Sequence, residues 1–554
     1  MTDAVERLLA KRGLSGEALE AFLDPSLKRL ACAQSLPGIP EAVDVIMPFV
    51  RDGRRVVVFG DYDCDGVCAS AILVKTLRRL GANADVFMPD RFTEGYGLTP
   101  SSVERLIREC PDAALVVTVD CGITSADEVR LLKDRGMSVV VTDHHLPSGT
   151  LPASDALVDP KVPSQIEAAD GIGARDLCGA GVAFFLASAL VARATEEGLY
   201  DGGKFGAPLL VLAGLATVVD IVPLVGQNRI LAANALKAFR AAPAGLQELL
   251  LRAQRRPVDL TSRDFGFLLG PRINAAGRMA SAKEAYDLLM AEDREEIRNI
   301  AQKVDARNVE RKTVENFMVE QAVAQIPDGA HGAAVVSGAS ADGWHTGVCG
   351  IVASRLVDRC GIPVAVIVDG RGSVRAPEGY DVHAALTSCS EMLERFGGHT
   401  AAGGFALKDG SLADFMDAFS AACAAQAEEG VIPPSGGIAF REPELWVEPG
   451  DLTLELHDGL KVMEPFGEGN PEPVLGLRGV MFSGIMPVGD KGRHASFTFT
   501  DKRIPRATWW GHGGIVEELR AKSSERFDVS FTLDVSDWGG EEPHPELRLC
   551  GIAV

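Results

Sequence analysis

Three aspartates at alternate positions, Asp61, Asp63 and Asp65, close the segment VVVFGDYDCDG (56–66). If strand geometry runs on through it, their carboxylates share one face. Like charges so close repel unless a cation lies between them, and hard oxygen donors suit a divalent metal. The alternative is a solvated acidic turn. Two more apolar runs end the same way: ALVVTVDCG in Asp120 and MSVVVTDHH in Asp143, His144 and His145; Asp220 follows APLLVLAGLATVV. Asp63, Asp65, Asp120, His144 and Asp220 make an oxygen-rich set with one imidazole, which suits Mn²⁺ or Mg²⁺ better than structural Zn²⁺. The set exceeds the needs of one ion, so two ions sharing a carboxylate are expected, an arrangement suited to phosphoryl transfer. His145 can contact a phosphate or protonate a leaving oxygen. Arg272 and Arg278, in GPRINAAGRM (270–279), read as a polar loop, and Arg91, in PDRFTEGYG, carry guanidinium forks that match phosphate oxygens. Each arginine taken alone fits an ordinary surface or salt-bridge role better than a substrate contact.

These side chains need a scaffold. From Arg54 onward strand and helix patterns alternate: VVVFG, a helix near 67–80, ADVFMP, the capped helix TPSSVERLIREC with Thr99 or Ser101 as N-cap, ALVVTV, SADEVRLLKDRG, MSVVVT and DALVDP. Such alternation predicts βαβ units and a parallel sheet, with ligands at the carboxyl ends of its strands. Past Asp220 the pattern is helical, and residues 281–326 read as one or two long, mixed-charge helices joining two lobes. A second α/β pattern begins near Ala333, with the Gly-rich stretch GGHTAAGGFAL. From about Pro433, short β segments predict a small barrel or sandwich. Residues 1–45 read as a helical lead-in punctuated by Pro25, Pro37 and Pro40.

A chain of 554 residues has room for two to four domains. No apolar run reads as long enough to span a bilayer and the N-terminus does not resemble a signal peptide, so the cytoplasm and no membrane partner are expected. Eleven cysteines without a regular spacing fit reduced thiols, and Cys64 and Cys68 read as packing residues. A net charge of −22 argues against non-specific coating of nucleic acid but leaves room for a local basic groove. The last domain carries such a signal: Lys491, Arg493, His494, Lys502, Arg503 and Arg506 interleave with Phe497, Phe499, Trp509 and Trp510, as in single-strand binding surfaces. The competing reading is that the alternating phenylalanines fill a barrel core.

GDYDCDG, VDCG, DHH and the Asp220 segment follow in order the motifs of the DHH phosphoesterase superfamily, which this chain resembles. GYG (95–97), GPRINAAGR, GWHTGVCGIVASRL, FGGHTAAGGF and PFGEGNPEPVL extend the resemblance, from about residue 20 onward, to the RecJ family of single-strand-specific 5′ to 3′ DNA exonucleases. The resemblance implies an α/β fold: a DHH-type parallel-sheet catalytic domain (46–270) after the lead-in (1–45), a phosphate-contacting loop and connector helices (271–328), a smaller DHH-associated domain (329–432) and an OB-like barrel (433–554). It makes Asp63, Asp65, Asp120, His144 and Asp220 the ligands of two Mn²⁺ or Mg²⁺ ions, with Asp120 as the bridge and Asp61 a partial or outer ligand. It assigns the scissile phosphate to His145 and Arg272, with Arg278 sharing that role or buttressing the loop. It assigns DNA contacts to Ser373, Arg375 and His399, around the 5′ end, with Arg91, Asn274, Trp344, His345 and Arg355 as further candidates. On the barrel Lys491, Arg493, Arg503 and Trp509 are the nucleic-acid candidates.

The implied reaction is stepwise release of 5′-mononucleotides from single-stranded DNA in recombination and repair, by a monomer working with a single-strand-binding protein and a helicase. Two departures stand out: Cys64 where a small Ala is usual, and RGSVRAP, whose Val374 and Ala376 replace smaller or hydroxyl residues of the family pattern. Rival readings are a phosphoesterase acting on short oligonucleotides or nucleotide phosphates, and a non-catalytic DNA-binding replication scaffold. The barrel and long connector disfavour the first, and the complete ligand set disfavours the second.

Overall fold

The β-branched run Val56–Gly60 forms strand β1 at the centre of a parallel sheet completed by β2 (Ala84–Phe87), β3 (Leu115–Val119), β4 (Ser138–Thr142) and β5 (Ala156–Val158), in the order β2-β1-β3-β4-β5. The structure is a computed structural model and describes all residues except 1, 204–205, 328–329, 331, 429–439, 523, 537–542 and 554. Every residue of β1 is buried because helices cover both faces, as parallel sheets require. Val56 and Val58 pack into a core with the helices Cys64–Arg79, Gly179–Glu196 and Gly206–Val219. Val57 and Phe59 face the opposite core, with Val103, Leu106, Val129 and Leu132.

Gly179–Glu196 is long and apolar enough to cross a membrane by length and composition, which corrects the expectation that no run reaches that length. It is a core helix instead: most of it is buried, against the helix Cys64–Arg79.

The segment 270–279 is not a loop but the helix Gly270–Met279. Pro271 sits in its first turn, where no intrahelical N–H is missed, and Ile273, Ala275 and Ala276 are buried. Two glycines and two arginines hid that apolar face. The connector is a single 30-residue helix, Arg294–Val323. Ile297, Ala301 and Val304 near its start belong to the catalytic core, and Met318 and Ala322 near its end pack with Trp344 in the next domain.

That second domain has the sheet order β6-β7-β8-β10-β9, with β6 (Ala334–Gly338), β7 (Val364–Val368), β8 (Arg371–Arg375), β9 (Leu393–Gly398) and β10 (Ala402–Leu407). Its expected boundaries at 328/329 and 432/433 lie outside the described residues. The last sheet runs β11-β12-β16-β17-β15-β14-β13, built from β11 (Leu445–Trp446), β12 (Leu475–Val480), β13 (Phe482–Val488), β14 (His494–Phe499), β15 (Ala507–Trp509), β16 (Phe527–Ser536) and β17 (His544–Ala553).

The N-terminal segment is no independent lead-in. Val5, Leu8 and Leu9, on the helix Asp3–Lys11, are buried in the barrel's core, and Arg12 pairs with Glu444 at 2.9 Å. The helix Ile39–Arg51 belongs instead to the catalytic core.

Candidate metal centre

β1 ends at Gly60, and the chain turns at once into the helix Cys64–Arg79. Asp63 is its N-cap: its Oδ1 accepts from the backbone N–H of Asp65 (2.9 Å) and Gly66 (3.1 Å). The three aspartates therefore do not alternate along a strand. Asp61 leaves β1, Asp63 caps the helix and Asp65 lies in its first turn, because a cap satisfies helix amides that otherwise lack partners. Their carboxylates still converge on the same space as Asp120, Asp143 and His144, which follow β3 and β4, and Asp220, which ends the helix Gly206–Val219.

Asp65 accepts the N–H of Gly179 (2.6 Å) and Ala180 (2.7 Å) at the N-terminus of the helix Gly179–Glu196, where the helix dipole favours negative charge. Only glycine fits at 179: a Cβ there would lie 2.6 Å from the Asp120 Cβ. His144 Nε2 is 3.0 Å from Asp120 Oδ1, 3.6 Å from Asp65 Oδ2 and 3.7 Å from Asp220 Oδ2. Ligand atoms of Asp65, His144 and Asp220 lie within 4.8 Å of one another, as do those of Asp61, Asp63 and Asp120, and those of Asp120, Asp143, His144 and His145. Asp120 belongs to two of these groups.

This cluster is chemically incomplete as a purely protein assembly. Asp61 Oδ1, Asp120 Oδ1 and both His144 ring nitrogens are buried without hydrogen-bond partners, whereas buried polar atoms are normally satisfied. Burial, then the charges of Asp65 and Asp63, push Asp220 up to about 9. Burial, then Asp63, push Asp65 up to about 6. Asp61 and Asp120 are raised well above the usual carboxylate range, first by burial. Burial lowers His144 to about 3, leaving the neutral ring that ligates metals. A hard divalent cation would satisfy the unpaired atoms and neutralise the carboxylates, so the donor set fits Mn²⁺ or Mg²⁺.

His145 stands at the edge of this centre and is engaged by Asp143. Its Nδ1 lies 2.7 Å from Asp143 Oδ1, and Asp143 also accepts the N–H of His144 (2.7 Å) and of Ile123 (2.9 Å). Burial opposes a charge on the His145 ring, but Asp143 outweighs it and raises the ring to about 9. Conversely Asp143, although buried, is held below the usual range by His145. The Tyr96 hydroxyl is 3.2 Å from the His145 ring nitrogens and donates to the Asp120 carbonyl at 3.2 Å. Asp143, Tyr96 and the amides of Gly179 and Ala180 were assigned no role from sequence. The DHH and GYG motifs contain the first two, but nothing local marks the amides.

The predicted arginines divide into two sets. Arg278 is pulled down to about 10 by burial and then by Arg91, while nearby Asp63 opposes the shift. Arg91 lies over the Tyr62 ring at 4.9 Å, and Arg375, on β8, is likewise lowered by burial and then by Arg91. Arg91 thus lies within charge range of both Arg278 and Arg375, at the boundary of the first two domains. Phe92 bridges the same boundary, edge-on to His345 at 5.6 Å.

Arg272, by contrast, pairs with Asp305 at 2.9 Å and donates to the Leu268 carbonyl at 2.8 Å. Asn274 accepts the Cys64 N–H at 2.7 Å, and Arg355 binds Glu315 (3.0 Å) and Asn316 (2.8 Å). These three brace helices, because partners distant in sequence engage their polar atoms. Trp344 is buried core, Ser373 is half-buried on β8, and His399 is exposed at the β9–β10 turn, where its N–H donates to the Ala402 carbonyl.

On the barrel, Trp509 is 4% exposed and stacks on His512 at 4.1 Å, so it is no platform for bases. Phe497 and Phe499 are also core, packed on Phe482. Trp510 is 59% exposed instead: it lies in the turn just past β15, near exposed Lys491 and Arg493 and edge-on to His494 at 4.6 Å. Arg503 is held by Asp501 and Arg506 by Ser496.

Comparison with known proteins agrees with this architecture. Residues 55–211 match the DHH family N-terminal domain, 322–425 the DHHA1 domain and 444–549 the RecJ OB domain. The chain is 31% identical to the single-stranded-DNA-specific exonuclease RecJ of Bacillus subtilis, over 100% of this chain and 68% of that protein. It is 34% identical to the Escherichia coli protein of the same name, over 85% of this chain and 82% of the relative. The crystal structure of RecJ in complex with Mn²⁺ from Thermus thermophilus superposes with a TM-score of 0.82 at 31% identity, covering 99% of this chain and 76% of that one. Its Mg²⁺ counterpart gives a TM-score of 0.76 at 29% identity, covering 99% of this chain and 74% of that one.

Proposed function

The chain belongs to the RecJ family of single-stranded-DNA-specific exonucleases, and from that premise we propose how its residues divide the work. It is a metal-dependent exonuclease that hydrolyses phosphodiesters of single-stranded DNA. The observation that carries the chemistry is the convergence of Asp65, Asp120 and Asp220 on His144, with Asp61 and Asp63 grouped against Asp120 and buried donor atoms left unpaired.

Two Mn²⁺ or Mg²⁺ ions are our reading of that donor set: Asp63, Asp65, Asp120, His144 and Asp220 would hold them. When bound, they supply an acidified water and positive charge at the phosphoryl oxygens. Asp61, grouped with Asp63 and Asp120, is a partial or outer ligand. His145, kept protonated by Asp143 and steadied by Tyr96, binds the scissile phosphate. Arg278 and Arg375 are half-buried and lowered by burial and then by the charge of Arg91, so an anion placed beside the three relieves that repulsion. We assign them the phosphate at the 5′ end of the strand, with Ser373 and His399 bordering it. This places the terminus one step from the metal centre and makes the cut 5′ to 3′, releasing 5′-mononucleotides.

Past the terminus the strand runs towards the barrel, where Lys491, Arg493 and Trp510 grip it. A helicase and a single-strand-binding protein are the partners that would present such a strand to this monomer in the cytoplasm, in recombination and repair. The test is digestion of end-labelled single-stranded, duplex and 5′-blocked oligonucleotides with Mn²⁺ or Mg²⁺, beside Asp120→Ala. Stepwise mononucleotide release from the free 5′ end of single strand, lost in the variant, is expected. Release from the 3′ end would refute the assignment of the arginine pocket.

A further inference from the structure

The helix Gly206–Val219 ends beside the metal centre, and the residue just past its cap breaks a rule of helix termination. Asp220 closes the helix, its N–H donating to the Ala216 carbonyl at 2.8 Å, and Ile221 follows with φ 59°, its N–H 3.4 Å from the Val218 carbonyl. This left-handed position after a helix is usually glycine or asparagine, because a Cβ is strained there and a β-branched one more so. The apolar contact that often accompanies such a turn falls to the next residue, Val222, which is buried. The Ile221 side chain is instead 69% exposed. Neither the turn nor the core needs isoleucine here, and strained residues of this kind gather where ligands are held.

Ile221 is not alone. Leu146, directly after His145, is 64% exposed, and Tyr96, whose hydroxyl meets His145, is 46% exposed. Asp220 and His145 influence each other's charge, and Asp220 lies 3.7 Å from His144, so Ile221 and Leu146 are each one residue from groups of a single cluster. Water-facing apolar side chains beside buried carboxylates make a rim with an oily lip and an ionic floor. The floor takes a phosphate. The matching feature of a nucleotide one sugar away from that phosphate is its base or deoxyribose.

We propose that Ile221 and Leu146, with Tyr96, form an apolar rim that packs against the base and sugar of the nucleotides flanking the scissile phosphate, so that substrate is recognised there without regard to sequence. The rim contact rests on the exonuclease reading. It needs unpaired, unstacked bases, and so makes part of the preference for single strand a property of the metal-site mouth itself.

The experiment compares kcat/KM on a 5′-phosphorylated single-stranded oligonucleotide with that on the same strand carrying abasic residues at its two 5′-terminal positions. It uses the full chain and the variants Ile221→Asn, Leu146→Ser and Ile221→Met. Asparagine tolerates the left-handed backbone and removes the apolar surface; methionine keeps apolar surface. Expected is a roughly tenfold loss by the unsubstituted protein on the abasic strand, the scale of one apolar or stacking contact with a base. Ile221→Asn and Leu146→Ser should each lose about five- to tenfold on the intact strand and little more on the abasic one, with Ile221→Met near the starting value. Mn²⁺ affinity by calorimetry should not move in Ile221→Asn. Equal losses by Ile221→Asn on both strands, a shifted Mn²⁺ affinity, or an unsubstituted protein indifferent to the abasic residues would each overturn the rim. Failure of the unsubstituted protein to shorten the intact strand would instead refute the exonuclease reading and take the rim with it.

Discussion

Asp143 controls His145 from a buried position, by a 2.7 Å contact to its Nδ1 and by its charge. Asp143→Asn keeps the shape and removes that charge. We expect kcat to fall about 10²-fold or more, the usual scale for a positioned proton-carrying group, with circular dichroism unchanged. Activity within a few-fold of the parent would show that His145 works without its partner. The carboxylates also give cation binding a sign with pH. Without cations Asp220 is raised to about 9 and Asp65 to about 6, by burial first, against about 3.9 for aspartate in an unfolded chain. Across that window the folded cation-free protein holds more protons than the unfolded chain, so its stability falls as pH rises from about 4 towards about 9. Cations displace those protons. The rise in Tm on saturation with Mn²⁺ should therefore be larger at about pH 8 than at about pH 6 by scanning calorimetry, and an increment that shrinks with pH would contradict the site.

At the scale of elements, the helix Gly270–Met279 aligns the metal centre from behind. Asn274 receives the Cys64 N–H, which lies beside the Asp63 cap, and Arg272 pins the same helix to Asp305 on the long connector. Asn274→Ala strands a half-buried amide at the start of the ligand-bearing helix, a loss of about 1–3 kcal/mol. It should lower both the Tm and the Mn²⁺ affinity, because Asp63 and Asp65 move with that turn; a fall in oligonucleotide affinity alone would restore Asn274 as a direct contact. The connector has a parallel task. Glu315 binds Arg311 at 2.7 Å and Arg355 at 3.0 Å, tying its second half to the DHHA1 domain and so setting where Arg375 stands relative to Arg91 and Arg278.

Over the whole molecule, the first residues of the chain complete the last domain. Leu8 is fully buried in the barrel, and Arg12 reaches Glu444, Asn470 and Pro471. Arg229, buried in the helix Gly226–Lys237 of the catalytic domain, donates to the carbonyls of Phe22 (2.9 Å), Met463 (3.2 Å) and Glu464 (2.9 Å), so catalytic domain, N-terminal segment and barrel meet at one guanidinium. Leu8→Ala should cost about 2–5 kcal/mol, as for other core truncations, and appear as earlier melting and proteolysis of the barrel. On the proposal that the barrel grips the strand away from the cut, KM should rise for long oligonucleotides more than for short ones. An equal rise for both would place the damage in the catalytic domain.

Much of this protein was legible in the residues alone. Runs such as VVVFG and ALVVTV are apolar on both faces, which only a sheet covered on both sides accommodates, and carboxylates and histidines at their ends belong at the carboxyl edge of that sheet. The barrel and the long connector were equally open to reading. Local pattern was insufficient wherever a long-range partner chose between two plausible states. The amides of a new helix drew Asp63 into a cap instead of a strand; a buried stripe of Ile273, Ala275 and Ala276 turned a supposed loop into a helix. The end of β15 exchanged Trp509, buried on the strand, for Trp510, exposed in the turn beyond it, and partners such as Asp305 and Glu315 made braces of arginines that looked free. Chemistry was written in residue type and order, because cation binding and phosphate binding demand particular groups. Which of several candidate groups are free to do it was decided by tertiary structure, because a polar atom's availability depends on what folds against it.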